Sequence, residues 1–431
     1  MEMKISYLLT GFLSVIMAVL FLPSAGVAAE RYAPKPVCHT EYRDDVTYVW
    51  FDVPDGVHIT YTDDGSRPTK ESARYKGEKI RLTEPAKLRM RSSEKGSRTK
   101  IYSYRIDVRE KELIRGKPLR KGDTIGIVAP AKYLDEDISQ AVKDIHDRGF
   151  KVKVGKSCYL RAEGGFAGTA AQRAADLNAF FLDDEVDAIV CLRGGSGCMD
   201  ILGLLDFDMI ARHPKLLLGY SDITVLHAAL FRECGLVTIH GPMINNILDL
   251  HTPYTLSCFY DGLTGKIGVG SVRLPEGAEL TALYEGEAKG RIVGGNLSRI
   301  CDLIGTGYEI DGDGCILLIE DIHETAGSLD NMMKRLYDNG LLDRVDGIVF
   351  GEFTDCPDEG GRSWKDVAAK YAELCGKPCL MGLPAGHDAD NMFLPLGVKA
   401  MMRAGADGSG ELFILQTPYD TDGDLSRQKD K

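Results

Sequence analysis

A serine stands where a short apolar run meets a helix-like segment. Residues 216–219 predict a buried strand and residues 223–226 predict the start of a helix, which places Ser221 at the corner between them. Such a corner lifts a hydroxyl out of a sheet and directs the next backbone N–H, that of Asp222, toward an oxyanion. A serine that only caps the helix would fit the same residues. Local sequence therefore leaves two interpretations of Ser221 open, nucleophile and helix cap.

Two other loops carry groups that could serve a nucleophile. Glu320 and Asp321 follow the apolar residues 316–319, where carboxylates are unusual unless they are paired or functional. His387 lies in a loop after residues 378–383, and it has the most site-like setting of the nine histidines. A structural role is the commoner fate of a histidine, so His387 is a candidate base that needs a partner to support it.

A glycine-rich loop, Arg-Gly-Gly-Ser-Gly at residues 193–197, follows the apolar residues 188–192. Glycines allow a tight turn and a close approach of backbone N–H groups to a ligand. A phosphate could be held in this way, although a lone glycine-rich loop is weak evidence for one. The loop is therefore a candidate ligand-binding segment of unspecified chemistry.

The elements around these loops predict an α/β fold with a parallel sheet. Apolar strand patterns at residues 124–128, 151–154 and 188–192 alternate with helical patterns at residues 138–148 and 173–181. Strands that alternate with helices at this interval form parallel sheets with helical crossovers, and their ligands bind beyond the carboxyl ends of the strands. After about residue 275 the pattern is more mixed, with strands at 315–319 and 347–350 and a helix at 329–336. This part predicts a smaller mixed α/β lobe.

Residues 33–110 predict a small all-β sandwich that precedes the α/β region. Four β-prone segments, at residues 46–51, 57–62, 87–91 and 101–106, are separated by turn clusters and contain no helical pattern. The stretch 61–69, with Tyr75 shortly after it, resembles the small β-sandwich appended to chitobiase-like glycosidases. That resemblance implies a spacer or docking module more readily than a carbohydrate-binding site.

The first residues have the pattern of a secretory signal peptide. Lys4 precedes an apolar run from residue 5 to residue 22, and small residues at 27–29 suit a signal peptidase. A retained membrane anchor is the alternative, because the run approaches the ~20 residues that span a bilayer. We therefore expect a signal peptide at residues 1–29, a sandwich at 30–113, a nucleophile domain at 117–275 and a C-terminal domain at 285–420. Such a protein would be exported to the periplasm or cell envelope.

Composition narrows the classes of partner. The chain has 431 residues and a formal net charge of −12, which argues against nucleic acid and anionic membranes because both favour clustered Lys and Arg. Most of the eleven cysteines lie in apolar runs, as small buried hydrophobes do. Cys375 and Cys379 could form a disulfide or half of a metal site, but no second pair of ligands accompanies them. We expect no metal and no cofactor.

Seven short motifs, taken together, resemble the LD-carboxypeptidase family of serine peptidases over about residues 117–417. In chain order they are Arg193-Gly-Gly, Gly219-Tyr-Ser-Asp-Ile-Thr, His240-Gly-Pro-Met, Gly294-Gly-Asn-Leu, Glu320-Asp-Ile-x-Glu, Gly351-Glu-Phe and Gly386-His. The resemblance implies a catalytic triad of Ser221, Glu320 and His387. It also implies an oxyanion hole from backbone N–H groups of Asp222 and of the Gly194–Gly195 loop. A parallel α/β domain, a smaller C-terminal domain that completes the triad, and a homodimer are the expected architecture.

The function implied is removal of the terminal D-alanine from murein tetrapeptides through an acyl-enzyme, in cell-wall turnover or recycling. Within the same family, a self-immunity peptidase of the microcin C type, which hydrolyses acyl-sulfamoyl nucleotides, is the alternative. It acts on cytoplasmic toxins, so the predicted signal peptide speaks against it. From another class, a catalytically inactive peptidoglycan-binding protein is the rival, and the intact triad argues against it.

The motifs also depart from the family at positions expected to shape the substrate pocket. Ser196 stands where the family usually has an aromatic residue, and Asp330-Asn331 stands where it usually has Asp-Arg. A carboxypeptidase must also bind a free terminal carboxylate, for which Arg193 or a cluster of backbone N–H groups is a candidate. Arg193 could equally serve only to hold its own loop in place. Specificity is therefore less well defined by the sequence than mechanism.

Overall fold

The computed structural model of the protein describes residues 32–43, 45–249 and 252–421. The predicted signal peptide, residues 1–29, lies outside the described residues. The chain divides into two compact units, of which the first contains Val49–Ile80, Pro85–Ile106 and the residues up to Thr40. The second contains Glu41–Tyr48, Arg81–Glu84 and everything from Asp107 onward. Within the described residues, no helix is both long and apolar enough to cross a bilayer.

The N-terminal region is all β. Its strands are β1 (Val37–Arg43), β2 (Val46–Asp52), β3 (Val57–Thr62), β4 (Ala73–Arg74), β5 (Ile80–Leu82), β6 (Ala86–Glu94) and β7 (Lys100–Ile106). They form a three-stranded sheet in the order β1-β2-β5 and a four-stranded antiparallel sheet in the order β4-β3-β6-β7. All four segments predicted as strands are confirmed. In β6, Leu88, Met90 and Ser92 are buried and alternate with less buried residues, as expected of a strand with one face in a core.

Among the described residues, the α/β region contains the remaining strands and all the α-helices. Its strands are β8 (Thr124–Val128), β9 (Lys151–Val154), β10 (Ala188–Cys191), β11 (Leu216–Gly219), β12 (Thr238–His240), β13 (Gly270–Ser271), β14 (Leu280–Tyr284), β15 (Gly286–Asn296), β16 (Cys315–Ile322), β17 (Gly347–Thr354), β18 (Cys379–Met381), β19 (Leu394–Leu396), β20 (Lys399–Ala404) and β21 (Ser409–Ile414). Its helices are α1 (Ser139–Asp147), α2 (Ala170–Leu182), α3 (Phe207–Arg212), α4 (Thr224–Cys234), α5 (Ile244–Asp249), α6 (Pro253–Leu263), α7 (Leu297–Leu303), α8 (Ala326–Asp338), α9 (Leu341–Arg344) and α10 (Trp364–Cys375). The strands and helices predicted from the sequence of this region are confirmed.

The first sheet of this region is parallel over five strands and packs on both faces. Its order is β19-β12-β11-β10-β8-β9, and only β19 runs antiparallel to its neighbour. Successive residues of β11 point to different cores: Leu216 and Leu218 pack on one side with α1, while Leu217 packs on the other with α2 and α4. A strand buried on both faces needs a continuous apolar run, which explains the sequence Leu-Leu-Leu before the nucleophile corner.

The second sheet is mixed and takes the order β13-β21-β14-β18-β17-β16-β15-β20. Strands β15 to β18 are parallel, and the flanking pairs are antiparallel. One late strand, β19, leaves this sheet and pairs with β12 of the first sheet, with Leu394 opposite His240. The loop from β18 to β19 therefore runs from the second sheet to the first, and this loop contains His387.

Candidate active site

Ser221 occupies a strained turn between β11 and α4. Its φ is +63°, a left-handed conformation that costs a residue with a Cβ roughly 1–2 kcal/mol. A 3₁₀ turn over Ser221–Ile223 leads into α4, and neither helical start has a side-chain cap. The geometry favours the nucleophile over the helix cap, because strained backbone is retained where it presents a reacting group.

His387 and Glu320 form a buried pair beside this turn. Nδ1 of His387 lies 2.9 Å from Oε2 of Glu320, whose side chain is completely buried at the end of β16. The ring of Tyr220, the residue before the serine, meets the His387 ring edge-on with 4.8 Å between centroids. Because Nδ1 faces the carboxylate, Nε2 of His387 is the nitrogen left to exchange a proton with a substrate or nucleophile.

The charges of this pair stabilise each other. Burial alone would raise the pKa of Glu320, but the charge of His387, its hydrogen bond to the carboxylate and the proximity of His240 outweigh it and bring the pKa to about 2. Burial likewise opposes protonation of His387, yet the Glu320 carboxylate beside it raises the pKa of the imidazole above its ordinary value. Glu320 is therefore ionised at neutral pH and able to stabilise an imidazolium that forms during a reaction.

The glycine-rich loop lies directly against the serine. A Cβ on Gly194 would fall 2.8 Å from Cβ and 2.9 Å from Oγ of Ser221, and 3.3 Å from the backbone nitrogen of Asp222. Glycine is thus required for the loop to approach the nucleophile this closely. The approach brings the loop and the Asp222 nitrogen to one side of Ser221, where donors could meet an oxyanion.

The side chain of Asp222 fixes the far end of this loop. It is 1 % exposed, its Oδ2 accepts a hydrogen bond from the backbone N–H of Cys198 at 2.9 Å, and Oδ1 lies 3.6 Å from Nη1 of Arg299 on α7. Asp222 therefore has a second function besides its backbone N–H, since its carboxylate joins the loop to the nucleophile turn.

Arg193 and Ser196, the candidate substrate-binding residues, lie in the glycine-rich loop. Nη1 of Arg193 donates a 3.4 Å hydrogen bond to the carbonyl of Tyr133, which holds its loop without excluding a ligand from the other guanidinium nitrogens. Ser196 is half-buried in the same loop, and Asn331 is exposed on α8. Their effect on specificity stays a prediction.

Asp321, the second carboxylate of the predicted pair, supports the fold around the site. Its oxygens accept hydrogen bonds from Nδ2 of Asn296 at 2.9 Å and from Oγ of Ser298 at 2.7 Å. The backbone N–H of Asn296 in turn donates to Oγ1 of Thr224, the first residue of α4, at 3.0 Å. Adjacent carboxylates at the end of one strand thus face different partners, as expected of side chains that alternate between the two faces of a sheet.

Sequence reasoning missed His240 as part of the site. This histidine is fully buried at the end of β12, and its Nε2 lies 3.7 Å from Oε1 of Glu320. The sequence shows it only as part of the His240-Gly-Pro-Met motif. A signal was present, because β11 and β12 are parallel neighbours with Gly219 opposite His240, so the end of β12 lies beside the nucleophile turn.

A serine at a strained strand–helix turn, with a histidine paired to a buried glutamate beside it, defines a serine-type hydrolase site on an α/β fold. Residues 125–241 match the LD-carboxypeptidase N-terminal domain, and residues 289–402 match the LD-carboxypeptidase C-terminal domain. The chain belongs to the LD-carboxypeptidase family and is a serine-type carboxypeptidase.

Individual relatives agree with this assignment. A probable murein peptide carboxypeptidase of Bacillus subtilis is 38 % identical over 292 residues, which cover 66 % of this chain and 90 % of the relative. The microcin C7 self-immunity protein MccF of Escherichia coli is 30 % identical over 65 % of this chain and 91 % of its own. The crystal structure of muramoyltetrapeptide carboxypeptidase from Oxalobacter formigenes superimposes with a TM-score of 0.59 at 28 % identity, covering 69 % of this chain and all of that one.

Proposed function

We propose that this carboxypeptidase removes the terminal D-alanine from murein tetrapeptides by acyl transfer to Ser221. The observation that carries the proposal is the His387–Glu320 pair, held at 2.9 Å next to the strained serine turn. The murein peptide as substrate is supported by the names of the Bacillus subtilis relative and of a Pseudomonas aeruginosa murein tetrapeptide carboxypeptidase, 31 % identical over 92 % of its length.

The reaction has two acyl-transfer steps. Nε2 of His387 takes the proton of the Ser221 hydroxyl, whose oxygen attacks the carbonyl of the third peptide residue. Backbone N–H groups of Asp222 and of the Gly194–Gly195 loop stabilise the oxyanion, each contributing roughly 3 kcal/mol. His387 then protonates the leaving amine of D-alanine, and a water molecule activated by the same nitrogen hydrolyses the ester and restores the serine.

Hydrolysis of aminoacyl-sulfamoyl nucleotides is the second candidate function. It is supported by the 30 % identity to the microcin C7 self-immunity protein and by the likeness to structures of that protein, one of which has a TM-score of 0.64 at 26 % identity. Both activities use the same serine, histidine and glutamate, so they differ in the acyl substrate and not in the reacting groups. A peptidoglycan-binding protein without activity is disfavoured by the complete set.

The remaining parts of the proposal concern cellular context. Export to the periplasm or cell envelope follows from the signal-peptide pattern at residues 1–29, and the all-β region would then act as a spacer or docking module of the chitobiase-like kind. We also propose a homodimer, as the family resemblance implies. Fractionation of the producing cells and sedimentation of the purified protein check these two points.

Mass spectrometry of purified murein tetrapeptide incubated with residues 30–431 tests the function. The protein should release one alanine, and Ser221→Ala should release none. Ser257→Ala is a matched control, because its hydroxyl bonds only to the carbonyl of Tyr254 within α6. Cleavage of an aminoacyl-sulfamoyl adenylate without cleavage of the tetrapeptide would favour the second function instead. Release of alanine by Ser221→Ala at the normal rate would refute the mechanism.

A further inference from the structure

We propose that the ammonium group of Lys132 binds the terminal carboxylate of the leaving D-amino acid. The inference rests on the proposed function, because only a substrate cleaved at its C-terminal residue presents a carboxylate next to the scissile bond. The carboxyl carbon of such a residue lies within roughly 4 Å of the scissile carbonyl carbon. A cation that serves this carboxylate must therefore lie within reach of the nucleophile.

The backbone around Lys132 holds this residue against the glycine-rich loop that contacts the nucleophile. It lies in the loop after β8, where it forms a bridge with Phe166, and the N–H of Tyr133 donates to the carbonyl of Gly165 at 3.1 Å. A Cβ on Gly195 would lie 2.9 Å from Cγ and from Cδ of Lys132. Consecutive residues of the glycine-rich loop thus contact the nucleophile and the lysine. Gly194 faces Ser221, and Gly195 faces the aliphatic part of Lys132.

The space for this lysine depends on glycine. Gly195 has a φ of +118° and leaves room where any side chain would collide with the Lys132 methylene groups. Cδ of Lys132 is also 3.8 Å from the Cβ position of Gly165. The aliphatic part of the lysine is therefore packed between two backbone segments, while the ammonium group beyond it keeps three donors for a ligand.

Three arginines around the loop donate to protein groups, although Arg193 keeps its other guanidinium nitrogens for a ligand. Both ends of the loop are held by arginines: Arg193 donates to the Tyr133 carbonyl, and the buried Arg173 donates to the Gly197 carbonyl at 2.8 Å. Arg299 pairs with Asp302 at 2.9 Å. Among the residues that the structure describes, no acceptor or carboxylate pairs with the Lys132 ammonium. An unneutralised cation on the loop that adjoins the nucleophile suits an anionic substrate.

The experiment compares two substrates, a tetrapeptide with a free C-terminal carboxylate and the same peptide ending in D-alaninamide. The unaltered protein should prefer the free acid. Lys132→Met keeps the aliphatic packing and removes the charge, so it should lower kcat/KM on the acid by about 10- to 100-fold, mainly through KM, and leave the amide nearly unaffected. Lys132→Arg should retain part of the preference. Lys156→Met, an exposed lysine in the same domain, is the matched control.

Each other result decides against the inference. An equal loss on acid and amide would show that Lys132 only supports the loop. A third result would assign the carboxylate to Arg193. In that case the ratio of kcat/KM on the acid to kcat/KM on the amide would fall in Arg193→Gln and stay unchanged in Lys132→Met. If the unaltered protein cleaves neither peptide, the murein function is wrong and the carboxylate subsite is withdrawn with it. Failure of the proposed function is thus distinguished from failure of the inference, because it is seen with the unaltered protein and not with the variants.

A separate observation concerns three buried polar atoms next to the triad. Both ring nitrogens of His240 and Oε1 of Glu320 have no hydrogen-bond partner among the described residues, although Nε2 and Oε1 are only 3.7 Å apart. Because an unsatisfied buried polar atom is costly, this arrangement favours a hydrogen bond between the two atoms. We infer that His240 is a positioning residue that donates from Nε2 to Oε1, which leaves Oε2 of Glu320 oriented toward His387.

The pH profile distinguishes this positioning from simple packing. The ionisable groups acting on His387 are Glu320, Asp321 and Asp388, with Tyr220 and His240 packed against the pair. When the His240 donor is lost, the charge of Glu320 acts on His387 alone. This stabilises the imidazolium and raises the pKa of His387. The acid limb of kcat/KM should therefore move to higher pH in His240→Phe and return in His240→Gln, whose amide can still donate.

His227 provides the matched control. It is also buried, but its Nε2 lies 2.9 Å from the carbonyl of Gly219, so His227→Asn should leave the acid limb in place. An unshifted limb in His240→Phe would refute the inference. Nitrogen NMR of the unaltered protein gives a second measurement that does not depend on the folding of a variant, and a His240 Nε2 without a proton would also refute the inference.

Discussion

Replacement of Ser221 by glycine should make the protein more stable while abolishing its activity. The φ of +63° at this residue lies where a Cβ crowds the following carbonyl oxygen, and glycine has no Cβ. Relief of this strain is worth roughly 1–2 kcal/mol, whereas the extra freedom of glycine in the unfolded chain costs about 0.5–1 kcal/mol. We therefore expect a net gain of about 0.5–1 kcal/mol in the free energy of unfolding.

Ser221→Ala is the comparison that isolates the backbone. Alanine removes the hydroxyl and keeps the Cβ, so the strain remains and the stability should stay close to that of the unaltered protein. Both variants should be inactive. The difference between them, about 0.5–1 kcal/mol in favour of glycine, then reports the left-handed backbone and not the lost hydroxyl.

Urea unfolding monitored by tryptophan fluorescence measures the difference. The chain has two tryptophans, and Trp364 on α10 stacks against Phe353 in the second unit, whereas Trp50 lies in the first. A Trp50→Phe background restricts the signal to the unit that contains the active site. Equal midpoints for Ser221→Gly and Ser221→Ala, or a lower midpoint for glycine, would refute the argument that the nucleophile turn is strained.

Other perturbations of the site have equally definite outcomes. Gly194→Ala should lower kcat by about 10²- to 10³-fold, because its Cβ would displace Ser221 or the loop; steady-state kinetics measures this. Glu320→Gln should lower kcat by roughly 10⁴-fold and move the acid limb of the pH profile downward, because the neutral amide no longer raises the pKa of His387. The pKa of Glu320 is lower in the folded protein than its unfolded value of 4.5, so its charge stabilises the fold above that pH. Lowering the pH from 5 to 2 should therefore reduce the free energy of unfolding of the unaltered protein more than that of Glu320→Gln, as urea unfolding measures.

Elements with strong periodicity could be predicted from the sequence, and contacts between loops could not. The buried strand before Ser221 and the helix after it follow from a continuous apolar run and a change of period. The short strand β19 has only three residues and contains Pro395, so its pairing with β12 is visible only in three dimensions. The contact of Lys132 with Gly195 likewise joins two loops that are distant in the chain, and no local pattern encodes it.

At the site, too, the sequence predicts some residues and not others. Residue types and strand ends led to Ser221, Glu320 and His387, while the family resemblance assigned their roles. His240 escaped because its strand has three residues, too few for a periodic signal, and because its partner Glu320 lies eighty positions later in the chain. Such pairs depend on the order of strands in the two sheets. Secondary-structure propensity does not predict that order.

The loop from β18 to β19 limits how this enzyme can evolve by recombination of domains. It leaves one sheet, presents His387, and continues as an edge strand of the other sheet, the one that leads to Ser221. Neither half of the α/β region holds a complete set of reacting groups, and neither half keeps all the strands of its sheet when cut from the other. Exchange of one half for an unrelated domain should therefore leave an incomplete set of reacting groups and no hydrolase activity.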